Sequence, residues 1–100
     1  GEMGPHVKWR LVITPRVQET LRVLPPQTKQ YIRQALAEIA LDPWIGKALR
    51  DELAGFYSFR TRRFRIVYRI QEATITVMVV GIGPRETIYE QVSSEIGKRF

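Results

Sequence analysis

The sequence predicts an α+β fold: one small, twisted antiparallel sheet built mainly from hairpin strands, with helices against one face. Three observations predict it. Apolar residues in the first third switch from a two-residue period to a helical one. Pro15 and Pro26 stand where two helices would begin, and Pro43 stands where the second would end. From residue 56 onward, three strand-length stretches precede a final amphipathic segment. The implied order is β-α-α-β-β-β-α.

Residues 7 to 13, VKWRLVI, alternate. Val7, Trp9, Leu11 and Ile13 share one face while Lys8 and Arg10 take the other, as in a half-buried strand. Thr14-Pro15 offers an N-cap followed by proline at the first helical position. Val17, Leu21 and Leu24 then recur at helical spacing, with Thr20 between them. Pro25-Pro26 breaks this helix, and Pro26 can start the next. Ile32, Ala35, Leu36 and Ile39 mark the apolar stripe of that second helix. Asp42-Pro43 ends it, because the residue before a proline is pushed out of helical conformation. Residues 44 to 55, WIGKALRDELAG, read as a connection. FYSFR and FRIVYRI read as two strands about a tight turn at Arg62-Arg63, although the turn lacks the usual Asn-Gly pair. Residues 74 to 82, TITVMVVGI, are apolar on both faces and predict a central strand. GPR turns the chain, and Ile88, Tyr89, Val92 and Ile96 predict a short C-terminal helix. No repeat, linker or low-complexity stretch interrupts the pattern, so a single domain is expected over residues 3–100.

Composition narrows the chemistry. Hydrophobic residues make up 44% of the 100 residues, enough for one core. No apolar run approaches the roughly 18 residues of a membrane span, so no membrane partner is expected. The opening GEMGPHVKWR lacks the apolar segment of a secretory signal. The chain has no cysteine, which excludes disulfides and thiolate metal sites and suits a reducing cytoplasm, the expected location. His6 is the only histidine, which excludes a multi-histidine metal site, and neither metal nor cofactor is expected. The formal net charge is +6 and the pI about 10.2, a balance that suits nucleic acid or an acidic partner.

The basic residues concentrate in RTRRFRIVYRI, residues 60 to 70, with five arginines in eleven positions. A turn centred on Arg62-Arg63 pairs Thr61 with Phe64, Arg60 with Arg65, Phe59 with Ile66, Ser58 with Val67 and Tyr57 with Tyr68. One face then collects Tyr57, Phe59, Phe64, Ile66, Tyr68 and Ile70, the expected core face. The other collects Ser58, Arg60, Arg65, Val67 and Arg69, the expected open face. Like charges directly across a strand pair are destabilising. Such an arrangement has a purpose where an anion binds, which makes Arg60, Arg65 and Arg69, with Arg62 and Arg63 at the turn, candidate phosphate contacts. The plainer alternative is a solvated face whose long side chains splay apart at little cost.

Several stretches in order resemble the RelE/ParE superfamily of bacterial toxins from type II toxin–antitoxin systems. They are WRLVITPRVQETLRVLP, ALAEIALDP, GKALRDELAGFYSFRTRRFRIVYRI and VMVVGIGPRETIY, and together they span Val7 to about Tyr89. The resemblance implies a compact RelE-like domain with an N-terminal helical hairpin on one face of its sheet. It implies an antitoxin that wraps the toxin, expected here to be acidic, with DNA met only through the antitoxin complex that represses the operon. It also implies two divergent activities. RelE-like members enter the ribosomal A site and cut mRNA, whereas ParE-like members inhibit DNA gyrase without chemistry.

Site residues carry over one by one. Arg65 matches the strand arginine that contacts the scissile phosphate, and Arg85 the arginine after the last strand. Arg60 falls where RelE-like enzymes have a basic residue on the preceding strand. Tyr89 matches the C-terminal tyrosine, a base or a stacking partner for a nucleobase. The expected catalytic set is therefore Arg65, Arg85 and Tyr89. Each also has a structural reading: Arg60 and Arg65 as surface partners of Asp51 or Glu52, Arg85 as a partner of Glu86 or Glu90, Tyr89 as core. Two departures stand out. Ser58 occupies a position where some RelE-like toxins carry lysine, and Pro84 one where many relatives carry histidine. The phosphate-clamping groups are present and the proton-transfer groups are sparse, because arginine is too basic to serve as a general acid. The expected activity is a ribosome-dependent, metal-independent mRNA endoribonuclease. The alternatives are a gyrase inhibitor and a weakened toxin that keeps only antitoxin binding.

Overall fold

The computed structural model describes residues 8–84 and 87–99. Val7, Arg85 and Glu86 therefore lie outside the described residues.

The first strand, β1 (Arg10–Ile13), alternates as its sequence does, with Leu11 and Ile13 half-buried and Arg10 and Val12 exposed. Thr14 follows in extended conformation, and its carbonyl accepts a hydrogen bond from the Gln18 N–H at 2.9 Å. This opens α1 (Pro15–Arg22) with proline in the first turn. The Thr14 hydroxyl makes no cap bond and is buried without a partner among the described residues. Val23, Leu24 and Pro25 separate α1 from α2 (Pro26–Leu41), which buries Ile32, Ala35, Leu36 and Ile39. Asp42 ends α2 in an extended conformation, and its carboxylate accepts a bond from the Trp44 N–H at 3.1 Å.

The connecting segment contains a two-residue strand, β2 (Lys47–Ala48), that sequence periodicity could not reveal. Next come β3 (Phe56–Thr61) and β4 (Phe64–Gln71), joined at Arg62-Arg63 in the expected register. Arg62 has φ of 55°, the left-handed value that a two-residue hairpin needs at its first central position. A short 3₁₀ turn leads into β5 (Thr76–Gly83), and α3 (Thr87–Arg99) ends the fold. No described helix is long and apolar enough to cross a membrane.

The α+β class and the helical hairpin on one face hold, and two features differ from expectation. The strand order is β1-β5-β4-β3-β2, and β1 runs parallel to β5 while the other pairs are antiparallel, so the sheet is mixed. The helices also divide between its faces. On one face α1 and α2 press Val17, Ile32, Ala35, Leu36 and Ile39 against Ile66, Tyr68, Val77, Val79 and Ile82. On the other, Ile88 and Val92 of α3 pack with Val67, Phe56 and Leu53. A bulge makes both layers possible. Val67 pairs with Gly81 but Tyr68 with Val79, so Val80 is an extra residue on β5. Side-chain parity reverses there. Val77, Val79 and Ile82 consequently all face the helical hairpin, while Gly81 faces α3.

Tyr68 is fully buried, and its hydroxyl donates to the Pro43 carbonyl at 2.7 Å. Gly46 is required beside it, since a Cβ there would lie 2.2 Å from that hydroxyl. Burial pushes the Tyr68 phenol up to about 12 from its ordinary 10.0. The folded state thus holds this proton more tightly than the unfolded chain. The resulting stability is complete below pH 10 and is lost as pH rises toward about 12, by about 1.4 kcal/mol per pH unit. Urea unfolding between pH 9 and 11 should show this decline in the wild type and a shallower one in Tyr68→Phe.

Candidate functional site

The β3–β4 hairpin displays its basic residues because side chains alternate across a strand. Arg60 and Arg65 are direct cross-strand partners. Arg60 is exposed and Arg65 half-buried. The ion pairs among the described residues are Arg16–Glu95 and Arg22–Glu19. Neither Asp51 nor Glu52 neutralises Arg60 or Arg65, which leaves two like charges facing each other across the strands. On β5, Arg65 pairs with Gly83, two positions before Arg85 in the chain.

The face expected to be open is covered along its middle by α3. Val67 is 0% exposed and Ser58 7%, while Ile88 and Val92 of α3 are 5% and 3% exposed. The close approach depends on Gly81, whose added Cβ would meet Val92 Cγ2 at 2.6 Å. The same packing brings Tyr89, in the first turn of α3, to β3. Its hydroxyl lies 2.9 Å from Ser58 Oγ in a partly buried hydrogen bond. Ser58 and Arg60 are two residues apart on one face, about 7 Å along the strand. Arg60, Arg65, Ser58 and Tyr89 therefore form one constellation at the edge of α3.

The other candidate residues separate from it. The Arg62 guanidinium stacks over the Tyr31 ring of α2 at 4.7 Å from its centroid, turned toward the helical hairpin. Arg63 is exposed at the turn. Arg69 lies four residues beyond Arg65, beside the C-terminal half of α3. Its guanidinium is 6.0 Å from the Phe56 ring centroid and borders an apolar groove of about 310 Å³ with Met78, Val80 and Ile96. Arg50, absent from the sequence-based set, lines a shallow depression of about 370 Å³ together with Tyr89 and Ser93. Only the 3₁₀ turn at Asp51–Leu53 folds it back to this position, and no local pattern announces it.

The constellation offers two permanently charged forks and a tyrosine hydroxyl on a preformed surface. Guanidinium groups suit phosphate oxygens, which accept paired hydrogen bonds without shifting a proton. Two adjacent arginines without acidic partners among the described residues are matched to a polyanion. Removing one relieves a like-charge opposition, so Arg60→Ala should leave stability level or raise it by up to about 0.5 kcal/mol. A chemical denaturation curve checks this, and a large loss would mean Arg60 packs in the core.

Residues 11–89 match the family model described as ParE toxin of type II toxin-antitoxin system, parDE. Toxin RelG of Mycobacterium tuberculosis is 32% identical over 80 residues, 78% of this chain and 92% of the relative. The toxin–antitoxin complex RelBE2 from Mycobacterium tuberculosis contains a chain similar at a TM-score of 0.73 and 31% identity, covering 79% of this chain and 100% of that one. A double arginine-to-alanine mutant of E. coli toxin RelE in the free state gives a TM-score of 0.74 at 25% identity, covering 93% of this chain and 98% of that one. The family match covers most of the chain, and the fold agrees with it. The chain belongs to the ParE toxin family, within the RelE/ParE superfamily of type II toxin–antitoxin systems.

Proposed function

We propose that this toxin blocks translation by cutting mRNA in the ribosomal A site without a metal ion. The observation that carries the reading is the cross-strand pair Arg60 and Arg65, which has no acidic partner among the described ion pairs, on the face that holds the Ser58–Tyr89 hydrogen bond. RNA supplies its own nucleophile. The 2′ oxygen forms a bond to phosphorus, the bond from phosphorus to the 5′ oxygen breaks, and the 2′ proton leaves as the 5′ oxygen gains one. The products are a 2′,3′-cyclic phosphate and a 5′ hydroxyl. Negative charge grows on the phosphoryl oxygens during attack, and fixed cationic donors stabilise it. Arg65 and Arg60 supply such donors from the hairpin, and Arg85 follows the end of β5 in the chain. Tyr89 is the hydroxyl within reach of the same phosphate.

A cognate antitoxin is the second partner. The similar Mycobacterium tuberculosis chain is found in a toxin–antitoxin complex, and a net charge of +6 favours an acidic partner whose association weakens with salt. DNA would be met only through that complex.

The match to the ParE toxin model favours one alternative, inhibition of DNA gyrase by binding alone. One experiment separates the two. Labelled message on programmed ribosomes, naked RNA, and a gyrase supercoiling reaction are each incubated with the toxin. Cleavage confined to ribosome-bound message is the expected result. Intact message together with blocked supercoiling would replace the ribonuclease reading with the gyrase one.

A further inference from the structure

Ser58 occupies an unusual place in this site. Among the described residues it is one of two buried polar residues, with Thr76, and it shares its face of β3 with Arg60. Its hydroxyl is spent on Tyr89 at 2.9 Å, across 31 residues of chain. That bond spans β3 and α3, so it forms only when both elements are docked. A serine hydroxyl has one proton and two lone pairs, and a phenol the same. Hydroxyls in a chain polarise one another when each donates to the next. If Ser58 donates, the Tyr89 proton is free to point away from the sheet. Ser58 in turn shares its face of β3 with Arg60, about 7 Å along the strand.

We propose that Ser58 is a positioning residue: its hydroxyl donates to the Tyr89 oxygen and turns the Tyr89 proton outward, onto a nucleic-acid phosphate held by Arg60 and Arg65. The inference rests on the ribonuclease reading and deepens it. It adds an uncharged hydrogen-bond donor to a site in which Ser58 and Pro84 stand in place of lysine and histidine. The phenol stabilises charge on the phosphate or on the departing 5′ oxygen. Ser58 never touches the substrate and acts only through the orientation of Tyr89. A bond that served merely to fasten α3 would stabilise the fold but would not alter the rate of a bound substrate.

The test is a double-mutant cycle in single-turnover cleavage of ribosome-bound message, with Ser58→Ala, Tyr89→Phe and both together. Ser58→Ala should lower the rate at saturating toxin by about tenfold, the scale of one lost hydrogen bond, while the toxin concentration at half-saturation stays within about twofold. Tyr89→Phe should lower it by about a hundredfold. In the Tyr89→Phe background, Ser58→Ala should change the rate by less than about twofold, because the group it orients is gone. Thermal melts of all four proteins run alongside, so that rates are compared per folded molecule. Fully additive losses, or a Ser58→Ala effect confined to the half-saturation concentration, would overturn the positioning role and leave the ribonuclease reading intact. A wild type that leaves ribosome-bound message uncut would overturn both.

Discussion

Arg65→Ala should reduce cleavage of ribosome-bound mRNA by about 10²–10³ and abolish growth arrest, with fold and antitoxin binding kept. The magnitude follows from the site. Arg65 is half-buried on β4, the middle strand of the sheet, opposite Arg60 and next to Gly83 of β5. A donor held in that way needs no reorganisation when charge develops on the phosphate. Loss of one preorganised donor from such a site costs about 2.7–4 kcal/mol of transition-state stabilisation. The folding cost should be small, because Arg65 faces a like charge and has no acidic partner among the described ion pairs. The resemblance gives Arg85 a contact to the same phosphate, and the same activity loss is expected of Arg85→Ala. The measurement is the single-turnover rate on programmed ribosomes, paired with a melting curve. A variant that melts like wild type and cleaves like wild type would remove Arg65 from the site.

Ile66→Ala, one residue further along the same strand, should do the opposite. Ile66 is 0% exposed and lies among Ile32, Ile39, Val79 and Tyr68 beneath the helical hairpin. Truncation removes three carbons from a packed layer and leaves a cavity that rigid neighbours cannot close. The cost should be about 4 kcal/mol, a large part of the about 5–15 kcal/mol that holds a domain of this size. Unfolding in urea should show the midpoint falling sharply with the slope unchanged. Residual folded protein should still cleave at the wild-type rate per molecule. A loss under about 1 kcal/mol would mean that the two faces of the strand had been exchanged.

The contrast between neighbours rests on alternation, and alternation is written in the sequence. Residues 56 to 70 show the period directly, and the register followed from placing the turn at Arg62-Arg63. The two helices were equally legible, because Pro15, Pro26 and Pro43 act on their own backbone torsions and need no distant partner. The single arginine pair at Arg60 and Arg65 could likewise be found by counting back from the turn.

Other features depend on contacts that no local pattern encodes. Lys47–Ala48 is too short to show a period and exists as a strand through its pairing with β3. The direction of β1 against β5 joins residues about 66 positions apart, and an alternating strand reads alike whether its neighbour runs parallel or antiparallel. β5 is central and apolar on both faces as read, but the extra residue Val80 reverses its parity, so Val77, Val79 and Ile82 share one face while Val80 and Gly81 meet the α3 side.

The candidate site divides in the same way. By itself the sequence determined which residues carry charge, which strand face they occupy and which family the chain resembles, because these follow from chemistry and short-range periodicity. Only the tertiary structure decided that α3 lies across that face, that Gly81 admits it, that Arg62 turns away onto Tyr31 and that Ser58 meets Tyr89. Those outcomes are fixed by how apolar surfaces on distant segments bury one another, and a hydrogen bond across 31 residues exists only once that burial has placed its two ends together.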